Sequence, residues 1–330
     1  MKIVLVTKSQ IILSIIILLT MIALLFDPHT YMNATIRGIT LWFNNVLPAL
    51  FPFFFLTKLL TSLNVLDSLS SLLKKPMSFL FHCPGVSGFV YLISTISGYP
   101  VGAKLNSELY LNNTITKSQL VRINAFTSTS GPLFIIGSVG VGMFLSQTAG
   151  TIILISHLLG ALLNGLLYRN YGYSKCNTQH SLPPKNPISM DKLLSDSVYN
   201  SIISILIVGA YIAICSVFIE VLINFQILNI LTIPFSIFGI DTTISNAILT
   251  GIIEMTRGCV ELSPLIDANS NLVVILATSL ISFGGISINL QAITFLSKCD
   301  ISIPFYFLQK FTQTILSTIV CIILLLIYSI

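Results

Sequence analysis

Apolar residues dominate nine stretches of the chain, near 10–26, 38–61, 86–112, 123–145, 149–168, 197–224, 242–265, 271–297 and 303–329. A helix needs roughly 20 residues to cross a hydrocarbon core of about 30 Å, so most of these runs predict bilayer-spanning helices. Two are broken inside. The stretch 86–112 carries Gly98, Pro100, Gly102, Lys104 and Glu108, and 242–265 carries Gly251, Glu254, Arg257, Gly258 and Glu261. Proline lacks an N–H and glycine permits a tight reversal, so Ser97-Gly98-Tyr99-Pro100 predicts the tip of a hairpin. Each arm has about a dozen residues and reaches roughly halfway across a bilayer. Lys104 follows the tip by about a turn, near the midplane. The second hairpin is expected to turn between Gly251 and Gly258, with Glu254, Thr256 and Arg257 at the same depth. The segment 62–82, with Lys74-Lys75-Pro76 near its end, reads as an interfacial amphipathic helix.

Composition turns this pattern into a class. Of 330 residues, 54% are hydrophobic and only 8% charged, whereas a soluble domain is about a quarter charged; the chain is an integral membrane protein. The run 10–26 follows Lys2 and Lys8, exceeds a typical signal core and lacks a small-x-small cleavage site, and so reads as a retained anchor helix. With both hairpins re-entrant and the N-terminus cytoplasmic, eleven cations (Lys2, Lys8, Lys74, Lys75, Lys117, Arg122, Arg169, Lys175, Lys185, Lys192, Lys298) share the cytoplasmic side and only Arg37 faces out. That is the positive-inside bias, and it accounts for the net charge of +5 without a nucleic-acid partner. The six cysteines are scattered, with no CxxC pair and no histidine spacing suited to a metal, so they read as small apolar fillers; no metal or other cofactor is expected.

The two halves of the chain resemble each other. A shift of 153 residues places Gly98 on Gly251, Lys104 on Arg257, Glu108 on Glu261 and Gly131 on Gly284. Upstream, PMSFLF (76–81) resembles PFSIFG (234–239). Each half reads as helix, hairpin, interrupted helix, helix, and the charge-derived topology has the hairpins enter from opposite sides. The expected fold is thus all-α and integral to the membrane, with two inverted-topology repeats and an extra N-terminal helix. Its divisions are an anchor at 10–26, repeat 1 at 38–168, a flexible cytoplasmic linker at 169–192 and repeat 2 at 193–330.

Non-helical backbone at membrane depth must be covered by protein or face a watery cavity. A purely structural role for its charges is open, since Lys104–Glu108 and Arg257–Glu261 are spaced to pair along one helix face. A functional one is also open, because both halves put a cation at a helix break, where transporters bind substrate. The interrupted helices add Ser128, Ser130 and Gly131 in 125–132, and Gly284, Gly285, Ser287 and Asn289 in 282–291. The candidate substrate-binding set is therefore Ser97, Gly98, Tyr99, Pro100, Gly102, Lys104, Ser128, Ser130, Gly131, Glu254, Thr256, Arg257, Gly284, Gly285, Ser287 and Asn289.

Ser97-Gly98-Tyr99-Pro100-Val101-Gly102-Ala103-Lys104, Ser130-Gly131-Pro132-Leu133-Phe134, Gly251 with Glu254-Met255-Thr256 and Gly258, and Ser282-Phe283-Gly284-Gly285 are similar to the YlbJ/SpoVV family of sporulation integral membrane proteins. That family sits in the nucleoside-recognition, or Gate, domain group, distantly akin to concentrative nucleoside transporters. The resemblance spans about 38–329 and implies a transporter moving dipicolinic acid from the mother cell across the outer forespore membrane. It implies a nucleoside carrier as the alternative, in which Ser287 and Asn289 look like ribose-binding groups and Glu254 like the second-hairpin carboxylate. Lys104 departs from that group's acidic first tip and suits an anion. A third reading is a non-transporting membrane module acting with partner proteins, and homo-oligomers through scaffold helices are compatible with each. The chain has no GxxxxGK[ST] motif for ATP hydrolysis and no His-Glu-x-x-His, and His157 has no acid or nucleophile at a motif spacing. His157 reads as a packed or interfacial residue, and no enzymatic activity is expected.

Overall fold

A computed structural model describes residues 8–62, 65–173, 190–267 and 270–327, and its described residues are helical with no strand. Helix α1 (Lys8–Phe26) is followed by α2 (Pro28–Leu41), which continues through wider π-helical turns at Trp42–Val46 into α3 (Leu47–Ser62). The amphipathic α4 (Val65–Phe81) meets α5 (Val86–Ser97) at 91°, so α4 lies across the direction of the hairpin arm, as an interfacial helix would. Then come α6 (Val101–Leu111), α7 (Lys117–Thr127), π-helical turns at Leu133–Met143 and α8 (Gln147–Tyr168). The second half contains α9 (Met190–Asn224), α10 (Ile227–Ile237), α11 (Thr242–Ile253), α12 (Met255–Leu262), α13 (Ser270–Phe283), α14 (Gly285–Leu296) and α15 (Ile303–Ile327).

Among the described residues, five helical runs are long and apolar enough to cross a membrane: Pro28–Leu60, Gln147–Tyr168, Met190–Asn224, Ser270–Cys299 and Ile303–Ile327. The first begins ten residues earlier than the apolar pattern marked, because Asp27 caps α2 by accepting the Thr30 N–H and Pro28 opens its first turn. Asp241 caps α11 in the same way through Thr243. Hydrogen bonds from Thr30 and Thr243, side chain and backbone, hold these two carboxyls below the usual carboxylate range. Most of the segment assigned above to the linker falls outside the described residues; α9 begins at Met190. Cys176 lies there too, and the five described cysteines are free and buried.

Antiparallel helix pairs form the frame. Along α2 and α9, Asn224 Nδ2 meets Tyr31 Oη, Arg37 pairs with Glu220 at 2.5 Å, and Trp42 Nε1 donates to the Ile205 carbonyl at 3.1 Å. Along α8 and α15, Gly160 abuts the Ser317 backbone, Asn164 Nδ2 donates to the Gln309 carbonyl at 3.1 Å, and Tyr168 stacks edge-on against Phe305. Ser279 of α13 meets Thr318 of α15 at 2.7 Å. Such serine, threonine and glycine contacts suit helices in lipid, where tails compete with apolar side chains and close backbone approach supplies the attraction. The outer faces are apolar, with Leu25, Phe26 and Leu326 each at least 79% exposed. In water such a surface would aggregate; in lipid it is solvated.

Candidate functional site

Both hairpins form, and each tip packs against the break of an interrupted helix. Gly98, at φ +76, turns the chain between α5 and α6; a Cβ there would lie 2.7 Å from the Gly131 amide nitrogen. Only glycine fits both the positive φ and that approach. The Tyr99–Pro100 peptide is cis, and Pro100 caps α6. Gly102 seats α6 against the Thr127 carbonyl at the end of α7. Ser97 is fully buried and shares a hydrogen bond with Thr57.

The second reversal is a single residue, Glu254, in extended backbone between α11 and α12. Its carboxylate caps α12, accepting from the Arg257 N–H at 2.8 Å and from the Thr256 hydroxyl at 3.1 Å. Gly251 and Gly258 do not make the turn: they let the two arms cross, a Cβ on Gly258 falling 2.4 Å from the Gly251 Cα. Gly284 and Gly285, both at positive φ, break α13 from α14 and bring Gly285 against the Met255 amide at the second tip.

Between the tips lies a cavity of about 30 Å³ lined by Tyr99 and Ser130 from the first half and Glu254, Thr256 and Gln291 from the second. Val46, Leu50, Phe134, Val208, Ile212, Met255 and Ile288 complete its wall. One water needs roughly 10–15 Å³ on this measure, so the space holds two or so waters and is closed to a ring-sized solute. Gln291 is 1% exposed, and neither end of its amide has a hydrogen-bond partner. An unpaired buried amide costs about 1–3 kcal/mol, so the Gln291 amide is left to bond whatever occupies the cavity, water or solute.

Behind the cavity the two breaks are cross-linked. His157 of α8 accepts the Ser130 N–H on Nε2 at 2.9 Å, which leaves Nδ1–H to donate to the Ser282 hydroxyl at 2.9 Å. The imidazole is therefore neutral and joins the first break to the end of α13. His157 is a linchpin between the halves, not an interfacial residue. Lys310 of α15 donates to Tyr99 Oη at 3.1 Å, Ser128 Oγ at 3.2 Å and Gln313 Oε1 at 3.0 Å. Tyr99 in turn donates to the Ile281 carbonyl at 3.2 Å.

The remaining candidates sit apart from the cavity. Lys104 lines a separate cleft with Thr57, Lys58, Glu108 and Asn200. The Arg257 guanidinium pairs with Glu261 at 2.8 Å, the i,i+4 contact that its spacing allows. Ser287 and Asn289 are fully buried on α14. Asn289 is committed internally, donating to the Gly285 carbonyl at 2.6 Å and accepting from Tyr306 Oη at 2.9 Å. In this conformation the structure thus gathers Tyr99, Ser130, Glu254 and Thr256 around one space, keeps Ser97, Gly98, Pro100, Gly102, Ser128, Gly131, Gly284 and Gly285 as its scaffold, and leaves Lys104, Arg257, Ser287 and Asn289 outside it. Sequence reasoning left Lys310 and Gln291 out of the candidate set and read His157 only as a packed or interfacial residue. The signal for the first was a lone cation inside an apolar span, a functional position by default.

The chain is 30% identical over 316 residues to the sporulation integral membrane protein YlbJ of Bacillus subtilis (strain 168), an alignment covering 88% of this chain and 77% of that one. No family model matches, and no solved structure matches.

Proposed function

Since the chain belongs to the YlbJ family of sporulation integral membrane proteins, we propose that it is a transporter carrying a small organic anion, dipicolinate, from the mother cell toward the forespore. The observation that carries this reading is the small cavity, with polar groups from both halves set in an apolar wall, where two hairpin tips and two helix breaks meet. Transporters built from discontinuous helices bind substrate at such a meeting point, near the midplane and between repeats. The element order of helix, hairpin, broken helix and helix recurs in both halves, and inversion of the second relative to the first is part of the proposal. So are the cytoplasmic N-terminus and the outer forespore membrane as its place. Loading a ring-sized substrate requires the tips to part. In that open state Lys104 and Arg257 are proposed to meet the two carboxylates, the first as a point charge and the second bidentately once it leaves Glu261. Gln291 supplies a donor at the centre.

One observation favours a second reading, a nucleoside carrier. The cavity lining holds a carboxylate and a free amide but no cation, a set that also suits a neutral hydrogen-bonding ring. Uptake of radiolabelled dipicolinate and uridine into proteoliposomes containing the purified chain separates the two. Expected is dipicolinate uptake, reduced about 10-fold or more in Lys104→Gln and Arg257→Gln, the scale of one charge-assisted hydrogen bond. Uridine uptake alone would establish the nucleoside reading. Uptake of neither would leave a module that works with partner membrane proteins.

A further inference from the structure

Lys310 is 1% exposed, and neither of the ion pairs among the described residues, Arg37–Glu220 and Arg257–Glu261, includes it. Its three ammonium hydrogens go to neutral oxygens, and Nζ also stands 4.8 Å from the centre of the Tyr99 ring. Burying an ammonium without an opposite charge is strongly unfavourable. A lysine kept charged here needs another source of negative potential.

Two helix ends supply it. Helix α7 stops at Thr127 and α13 at Phe283, both inside the protein. Lys310 reaches the first through the Ser128 hydroxyl, and Gln313, itself bound to Lys310, donates to the Ser128 carbonyl at 2.9 Å. It reaches the second through Tyr99, whose hydroxyl points at the last-turn carbonyls of Ile281 and Ser282. A helix C-terminus carries roughly half a negative charge, so two converging ends amount to about one, which one ammonium balances. Where broken helices meet in transporters, such carbonyl ends coordinate a cation taken from solvent. We propose that Lys310 is a tethered substitute for that ion. Carried in by α15, its ammonium neutralises both helix ends, so the chain closes without binding Na⁺ or K⁺. On the transport reading above, it also works without them.

The first test does not depend on transport. The purified parent should melt at the same temperature in NaCl, KCl and choline chloride. Lys310→Ala should melt lower by roughly 5 °C or more in choline and recover in Na⁺ or methylammonium, which fit the vacated space. Cation dependence of the parent, or no recovery of the variant by any small cation, would overturn the proposal. Should Lys310→Ala yield no folded protein, Lys310→Arg and Lys310→Met decide. Arginine preserving the fold while methionine lowers stability supports a required charge, and methionine matching the parent overturns it. Proteoliposome uptake is then compared in Na⁺ and choline: equal rates are expected, and Na⁺-dependent uptake would overturn the tethered cation. No uptake in either would count against transport, while the melting results would still decide the tethered cation.

Discussion

His157 shows how one side chain joins distant parts of the chain, bonding Ser130 on one side and, 125 residues beyond the histidine itself, Ser282 on the other. Its ring nitrogens bind the Ser130 amide and the Ser282 hydroxyl, and both partners are buried. His157→Phe keeps most of the volume but leaves the Ser130 N–H unpaired, at a cost of about 1–3 kcal/mol. Thermal melts in detergent should show this loss, and adding Ser282→Ala should cost less in the variant than in the parent, because the two residues share one bond. Full additivity would mean that the bridge contributes nothing. The sequence exposed the serines and glycines at the breaks because they interrupt apolar runs locally. It did not expose His157, Lys310 or Gln291 as partners, since each lies in an otherwise regular helix and its role depends on an element far away in sequence. Lys104 and Arg257 drew attention by matching across the halves, yet periodicity does not say which way a helix turns its cation; here Arg257 turns to Glu261.

Elements were more legible than contacts. Gly98 and Pro100 place the first hairpin tip where the sequence expects it, because their backbone limits act locally. The second tip falls within the expected window, but Glu254 makes it while the glycines serve the crossing of the arms. Composition alone does not distinguish a turn glycine from a packing glycine. The distinction has a measurable consequence. A methyl group on Gly258 would press on the Gly251 Cα at 2.4 Å and the Ala247 carbonyl at 3.0 Å, both backbone atoms that cannot rotate away. Gly258→Ala is therefore expected to destabilise the purified protein by about 1–3 kcal/mol, the usual cost of overpacking. Gly137→Ala, whose nearest neighbour would be the Leu133 side chain at 3.4 Å, should leave the melting temperature nearly unchanged. Equal effects at the two positions would remove the case for a close crossing.

For the whole molecule, the placement of charge sets the expected orientation of the chain in a membrane. Helix α9 has 35 residues and is about 52 Å long, well beyond a hydrocarbon core of about 30 Å, so Lys192 and Glu220 stand at opposite surfaces. Arg37 belongs with Glu220. Elsewhere, the buried Arg122 donates to the Tyr171 carbonyl at 2.8 Å and Arg169 to the Phe79 carbonyl at 3.0 Å. Tyr168 packs on Phe305, close in the chain to Lys298, so these cations gather on one face. Loops rich in lysine and arginine tend to stay in the cytoplasm, so the proposed orientation has that face inside and Arg37 outside. Single cysteines read this directly, because the five described native cysteines are buried; Cys176 would first be changed to serine. An impermeant maleimide should label Arg37→Cys in intact cells and Lys298→Cys only in inverted vesicles. Labelling of both from one side would break the antiparallel frame described here. The reverse pattern would keep the frame and turn the whole protein over, moving the N-terminus out of the cytoplasm.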